Sequence, residues 1–583
     1  MRAKFFSPHL FVLLAFATLI AAPLSAPGYF MFAHDARHTV YFMQMFDAAL
    51  RDGALFPRWA TDMVFGYGYP VWLILAPLPY YGAEFFHLLG LDFPSSIKAI
   101  EAVGWFAGAL GMFLFASRVL GKDSGLVAAI AYLFVPYHIV DLYVRGAMAE
   151  FLAFVFPPFI LWGIYQIFST RRVFYVPLTA LLYGAMLLTH VQMTVLFSPV
   201  IAGYILVLWW ADRRRATNAQ SPNHPITQSP NHPIIQSSLH TFTFSPLLRS
   251  AFAIVWGVAL AAVFFLPILL EQKYLTNDPL IGGFFNFRLH FVNPAQLVSP
   301  FWGYGYAGTN GSDQFSLQLG IMPLFFGIIA LFNLKRGQAR SAQIFYFALV
   351  TLGAVFAMLV LSTPLWELAA PIVAFTQFPW RVLFVSAFAL AFLAGASVRA
   401  IDAENQFRAA LFFALLVSFA MFPYARPQYT ETQFTWNTMM DFQVKDRELL
   451  GDTIWVETRP QDSPLVAQYR AGNITTKAVV LEGDAQIELL ERRPLGDTVR
   501  VNAATPSRIM FYTRDFPGWT ATLDGNAAEI KHDNEQGLIT IEVPAGTHIA
   551  ATHWGTTPAR VIGAIISFVS LVFALIVLWR TRK

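Results

Sequence analysis

The chain has 583 residues, of which 56% are hydrophobic and only 13% charged, with a mean hydropathy of +0.52. A soluble domain carries roughly 45–50% apolar and about 25% charged residues, so these totals exclude a soluble protein and describe a polytopic membrane protein. The net charge of +4 and pI near 9.0 come from short Lys/Arg clusters between apolar segments, with no basic face for nucleic acid, and the absence of cysteine removes disulfides, thiolate nucleophiles and Cys-based metal sites.

The first apolar stretch, about residues 5–24, has Arg2 and Lys4 before it and small residues after it, the pattern of a cleaved signal peptide. Its length approaches the roughly 20 residues that cross a bilayer, so the expectation is a retained first helix. Further runs of spanning length fall near residues 98–118, 124–142, 147–168, 173–190, 193–210, 248–270, 317–333, 343–361, 381–399, 407–424 and 559–579, which predicts about twelve transmembrane helices.

Basic residues concentrate in alternate connections: Arg118 and Lys122, Arg171 and Arg172, Arg213 to Arg215, Lys335, Arg336 and Arg340, Arg399 and Arg408, then Arg580, Arg582 and Lys583. By the positive-inside rule both termini are expected in the cytoplasm. This phase holds only if residues 71–90 do not cross. Pro70, Pro77 and Pro79 interrupt that stretch, which suits a helix lying at the outer interface or re-entering. Residues 25–97 then form one large outer loop, and 271–316, 362–380 and 425–558 are also outside.

The inner segment 211–247 contains QSPNHPI at 220–226 and again at 228–234, a Pro/Ser/Asn/Gln repeat expected to be a disordered linker. His224 and His232 are metal-ligand types, but repetition explains them better. From 425 to 558 short period-two runs such as TKAVVLEG, DTVRVNAA and GLITIEVP alternate with turn residues, the pattern of an antiparallel β-sandwich. Asp524-Gly525 fits a hairpin turn. The expected organisation is a transmembrane domain over 1–424, the outer β-domain over 425–558, and a last helix with a basic tail over 559–583.

The first outer loop carries HDARH, PRW, GYGYP and APLPYY in that order. Asp35, about ten residues past the first span, is the leading catalytic candidate, because a carboxylate at the membrane surface can act as a general base or help bind a divalent cation. The competing reading is a solvated loop residue or the N-cap of a helix beginning near Ala36. Binding candidates beside it are His34, His38, Tyr80 and Tyr81, although Tyr and Trp also form ordinary interfacial belts. Cations able to hold a phosphate are Arg58, Arg145, Lys273, Arg288 and Arg381, and Arg381 can equally snorkel beside a belt residue.

His138, Asp141, Arg145, Glu150 and His190 fall at helix ends on the same outer face. Ionisable groups there usually face a cavity or each other. An Asp141–Arg145 pair is the structural alternative, and Glu150, deeper in its apolar run, is the better functional candidate. Asn473-Ile474-Thr475 matches a glycosylation pattern short enough to arise by chance.

The early acidic residue of the first outer loop, followed by GALFPRW, the PLPYY helix and HLLGL, resembles the GT-C membrane glycosyltransferases. Within them it looks most like the bacterial membrane proteins labelled 6-pyruvoyl-tetrahydropterin synthase-related. LLTHVQ at 187–192 and QFPWR at 377–381 are similar to that group's His and FPWR signatures, and FPGWTATLDG with VPAGTH resembles the outer β-domain of YfhO-like proteins. The resemblance touches nearly the whole chain except the repeat linker and residues 271–316. Pterin chemistry is not implied, because no His cluster for its zinc site is present.

What the resemblance implies is transfer of a sugar from a polyprenyl-phosphate donor to an envelope glycan, lipid or protein acceptor outside a prokaryotic plasma membrane, with Asp35 as base. His-Asp stands here where many relatives have paired acids, which leaves metal use undecided. Two rivals remain: a transporter or flippase of a lipid-linked glycan, for which inverted repeats are wanting, and a noncatalytic envelope assembly protein that binds through its β-domain.

Overall fold

The computed structural model describes residues 7–30, 32–219, 245–276, 281–332, 334, 339–430, 434–446, 452–472 and 476–582. Arg2, Lys4, both QSPNHPI repeats with His224 and His232, Lys335, Arg336, the 473–475 triplet and Lys583 lie outside the described residues.

The apolar runs are helical because a lipid-facing backbone must satisfy its own polar groups. In chain order the helices that concern us are α1 (Pro8–Ser25), α2 (Ala36–Arg51), α3 (Leu78–Leu88), α4 (Phe93–Leu120), α5 (Lys122–Tyr143), α6 (Met148–Thr170), α7 (Tyr175–Thr189) and α8 (Val191–Arg214). They continue with α9 (Pro246–Leu260), α10 (Ala262–Tyr274), α11 (Ile321–Phe332), α12 (Arg340–Met358), α13 (Val360–Thr376), α14 (Pro379–Ala400), α15 (Ala403–Tyr424) and, at the C-terminus, α16 (Pro558–Thr581).

All twelve expected runs fall on these helices. Among the described residues nine are long and apolar enough to cross a membrane, α9 and α10 make a tenth as a pair bent by 69°, and α7 and α11 are shorter. The protein is therefore a multi-pass membrane protein. Of the expected inner linker, residues 211–219 instead continue the helix that begins at Val191.

The centre of the bundle is α5 against α14, whose apolar windows are buried throughout. Small residues set their approach: a Cβ on Gly395 would stand 2.4 Å from the Ser124 carbonyl oxygen and 2.7 Å from Ala128 Cβ. By contrast α16 shows most of its surface to the surroundings, as a lipid-facing helix does. α3 has 11 residues, about 16 Å of helix against the roughly 30 Å of a hydrocarbon core, so it does not cross. Phe85, Leu88 and Leu89 on and just beyond it are exposed.

The strands occupy 478–554 within the 425–558 stretch, and the part before them holds the helices Trp436–Asp446 and Pro464–Arg470. Two antiparallel sheets form, one in the order β1 (Ala478–Glu482), β4 (Ser507–Arg514), β7 (Leu538–Val543). The other runs β2 (Ala485–Arg493), β3 (Gly496–Ala503), β8 (Gly546–Trp554), β5 (Trp519–Leu523), β6 (Asn526–Ala528). Period-two alternation buries Val499, Val501, Ile509, Phe511, Ile539 and Ile541. Asp524 and Gly525 have φ of +54° and +79°, the mirror-image hairpin turn their sequence favours.

The PRW and GYGYP motifs of the first loop form the seat of this domain. Trp59 packs among Trp519 and Trp554 at 5.5 and 5.1 Å. Buried Lys477 donates to the Thr61 and Gly66 carbonyls at 3.1 and 2.7 Å, and the Arg514 N–H donates to Tyr67 O at 2.9 Å. Gly66 and Gly68 have φ of +95° and +83°, and a Cβ on Gly68 would fall 2.5 Å from Trp59 Nε1, so these two positions require glycine.

Candidate functional site

The C-terminal end of α5 and the start of α6 are joined by a tight turn through Arg145 and Gly146. Gly146 has φ +62°, and a Cβ there would sit 3.0 Å from Ala36 Cβ and 3.2 Å from Ala36 N. That close approach lets the Asp35 N–H donate to Arg145 O at 2.8 Å, which fixes the head of α2 against the turn. Asp35 occupies the N-cap position of α2, yet its side chain makes no capping hydrogen bond. The carboxylate is 51% exposed and lies 3.9 Å from Arg145 Nη2.

Behind Asp35 lies a buried ion cluster. Arg145 pairs with Asp141 one helical turn before it, and its Nη1 is 2.9 Å from Glu150 Oε2 and 3.4 Å from the Tyr137 hydroxyl. Tyr137 donates to Glu150 Oε1. Glu150 Oε2 also lies 3.2 Å from Arg381 Nε, an ion contact without hydrogen-bond alignment. Arg381 Nη1 donates to Gln192 Oε1 at 2.9 Å, Thr376 O at 2.8 Å and Gln377 Oε1 at 3.1 Å. Trp380 covers the group, its ring 4.9 Å from the Arg145 guanidinium. Two acids and two arginines, all buried, thus cancel in charge, and charges out of water persist only when so paired.

His34 flanks Asp35 on the other side. Its Nε2–H donates to Gly305 O at 2.9 Å, and its ring stacks on Tyr306 at 4.7 Å. Burial, reinforced by Arg145 and opposed by Asp35, lowers its pKa to about 4, so the ring is neutral. Its partners come from the hairpin closed by the Tyr304–Phe315 bridge, and Phe315 also packs on Trp380 at 5.3 Å. His190 sits in the one-residue break between α7 and α8, within electrostatic reach of Glu150, Arg381, Arg145 and Asp35.

Of the residues expected from sequence, Asp35, His34, Arg145, Glu150, His190 and Arg381 come together, and the Asp141–Arg145 pair forms. The others go elsewhere. Arg58 is buried, donates to Val263 O at 2.5 Å and faces Arg560 and Glu271; burial, then Arg560, lower its pKa to about 10. His38 packs on Phe442 at 4.7 Å; Tyr80 packs on Phe46 at 5.6 Å yet remains within electrostatic reach of Asp35. Tyr81 donates to Leu55 O at 2.5 Å. His138 is enclosed between Trp105 and Phe154. Lys273 lies over Tyr274, and Arg288 forms a paired contact with Glu367 at 2.6 and 2.5 Å.

Tyr137, Gln192, Thr376, Gln377 and Tyr306 complete the site without having been expected there. Gln192 and Gln377 lay inside the two quoted signatures, which was the available signal. Gln377 has φ +66° and ψ −47°, the centre of a tight turn in which the Phe378 N–H donates to Thr376 O at 2.7 Å and a backbone conformation costly for a side-chain-bearing residue. Among the described residues no three His, Asp or Glu side chains converge closely enough to hold a metal ion.

No family model matches the sequence. An uncharacterized protein of Lactococcus lactis subsp. cremoris (strain MG1363) is 22% identical over 210 residues, which is 35% of this chain and 34% of that protein, so the chain spans about a third of its length. Among solved structures, the apo oligosaccharyltransferase of Archaeoglobus fulgidus matches with a TM-score of 0.43 and 13% identity, over 75% of this chain and 58% of that one. The arabinofuranosyltransferase AftD from Mycobacteria matches with a TM-score of 0.42 and 17% identity, over 80% of this chain and 31% of that one.

Proposed function

We propose that this protein is a GT-C type membrane glycosyltransferase that moves a sugar from a polyprenyl-phosphate-linked donor to an acceptor on the outer face of a prokaryotic plasma membrane, with both termini cytoplasmic. The observation that carries this is Asp35: a half-exposed carboxylate, unused by the helix it heads, held 3.9 Å from Arg145 at the rim of a buried ion cluster. A capping or purely structural acid would spend its oxygens on the backbone.

In the proposed reaction the acceptor hydroxyl gives its proton to Asp35 as its oxygen attacks the anomeric carbon. The bond from that carbon to the phosphate oxygen breaks, and the electron pair leaves with the phosphate. Arg381 and Arg145 lie where that charge grows, and fixed charges in a low-dielectric site need no reorganisation to stabilise it. Neutral His34, tied to Gly305, orients the Asp35 side of the site. An apolar cavity of about 370 Å³ lies beside Arg381, lined by Leu196, Val200, Tyr346, Trp366, Val382 and Val385. It would take isoprenoid units of the donor.

The test is cell-surface glycan and accumulated polyprenyl-linked sugar in wild type against Asp35→Asn at equal protein level. Loss of a positioned base removes roughly 10²–10⁴-fold of rate, so donor should accumulate. Unchanged profiles would remove the assignment of Asp35.

A further inference from the structure

Arg58 is a buried cation without an ion-pair partner among the described residues. Pro267 in α10 has no N–H to give the Val263 carbonyl one turn before it, and Arg58 Nη2 donates to that oxygen at 2.5 Å. The other two nitrogens, Nε and Nη1, make no hydrogen bond to the described residues, and neither is sealed from the surroundings. The guanidinium stays charged at neutral pH, since burial brings its pKa only to about 10.

The charged groups that face Arg58 are Arg560 and Glu271, and those two satisfy each other. Arg560 donates to Glu271 Oε2 from Nε and Nη2 at 3.1 and 2.8 Å, and the Thr557 hydroxyl donates to Oε1 at 2.5 Å. Two arginines against one carboxylate leave a single positive charge on the group. Buried charge persists when it is paired, so the group is complete only with an anion of one charge at the open edge of Arg58.

Position decides which anion this is. Arg58 stands where the first outer loop meets α10, just past the 69° bend from α9. Leu55 and Phe56 shortly before it in the chain, and Leu269 and Leu270 on α10, are exposed and apolar. A charged guanidinium fork matches phosphate, and apolar side chains around it suit acyl chains. We propose that Arg58 binds the phosphate of an anionic phospholipid of the outer leaflet, whose chains lie against Leu55, Phe56, Leu269 and Leu270. A zwitterionic phospholipid brings its own cation and leaves the surplus charge in place. The site stands apart from the transferase reading, because the groups that face Arg58 do not include Asp35 or the ion cluster behind it.

The test titrates full-length protein, stripped of lipid in a non-ionic detergent, under native mass spectrometry. The probes are dioleoylphosphatidylglycerol, dioleoylphosphatidylcholine, and glycerophosphoglycerol, which is the first headgroup without its chains. The first phosphatidylglycerol is expected to bind at least about tenfold tighter than phosphatidylcholine, and Arg58→Gln should remove that preference. Arg58→Lys, which keeps the charge, should retain it.

Equal affinity of wild-type protein for the two phospholipids overturns the proposal, and that comparison needs no variant. Glycerophosphoglycerol binding as tightly as the whole lipid would mean a soluble phosphodiester site, and displacement of phosphatidylglycerol by an equimolar polyprenyl phosphate would mean a carrier-lipid site. Either result overturns the assignment to a bilayer lipid.

Discussion

Removing Arg145 tests whether the ion cluster is one unit. The guanidinium lies 2.9 Å from Glu150, also pairs with Asp141, and all three are buried. At an effective dielectric of 20 the Glu150 contact alone is worth about 6 kcal/mol of Coulomb energy, set against several kcal/mol of desolvation for each ion. Half-exposed Asp35 at 3.9 Å adds no more than about 1 kcal/mol.

Arg145→Gln leaves two buried carboxylates facing Arg381 alone, and breaking such a pair costs about 3–5 kcal/mol. Asp141→Asn made together with it restores the balance, since Glu150 then keeps Arg381 as its partner. The double variant is therefore expected to be at least about 2 kcal/mol more stable than the sum of the two single changes. SDS titration of detergent-solubilised protein, followed by Trp fluorescence, measures this cycle. Additivity within about 0.5 kcal/mol, or a loss below about 1 kcal/mol for Arg145→Gln, would refute the picture of a charge-balanced unit.

Three further outcomes follow from local geometry. Gly146→Ala places a methyl about 3.0 Å from Ala36 and strains a positive φ; it should cut sugar transfer more than tenfold while shifting stability by only about 1–3 kcal/mol, and an unchanged rate would mean the turn does not position Asp35. His34 is depressed to about 4 from 6.5, so its contribution is fully present above pH 6.5 and is lost as pH falls to about 4. That amounts to about 1–3 kcal/mol, and His34→Gln should flatten the slope in that window when stability is followed against pH. Gly68→Val would collide with Trp59 within 2.7 Å; hydrogen exchange should rise in β5 and β8 but not in α5, and uniform protection would show that the seat does not hold the domain.

Most of the architecture was legible because membrane helices and half-buried strands announce themselves by length and period. The runs at 98–118 or 381–399 are apolar for reasons of solvent alone, and DTVRVNAA alternates because one side of β3 faces a core. The interruption at Pro70, Pro77 and Pro79 likewise marked the 71–90 stretch as non-crossing. The outer-end residues of the early helices were readable as a group, since a shared membrane face follows from counting spans. Arg145 and Asp141, four residues apart, could be paired on helical spacing.

The placement of PRW, GYGYP and the two Tyr residues was not legible in the same way. Arg58 and Tyr81 stand close to Asp35 in sequence and carry suitable chemistry, but Arg58 turns to the Val263 carbonyl of α10 and Tyr81 to the Leu55 carbonyl, while the neighbouring Trp59 and Gly66 go to the β-domain. His34 and Asp35, adjacent in the chain, meet partners from distant segments: one turns to Gly305, the other to Arg145.

Solvent partition and periodicity are local properties, so the sequence by itself determined roughly where the apolar helices run and that a β-domain follows them, whereas nine helices of spanning length and one bent pair stand among the described residues where about twelve spans were expected. Which ions neutralise one another, and which neutral groups accept their remaining hydrogens, is set by contacts between residues far apart in the chain: Glu150 with Arg381, and Arg381 with Gln192. Only the packing of α5, α6, α8 and α14 decided those, because the energy of a buried charge depends on every neighbour within a few ångströms and on none in particular along the sequence.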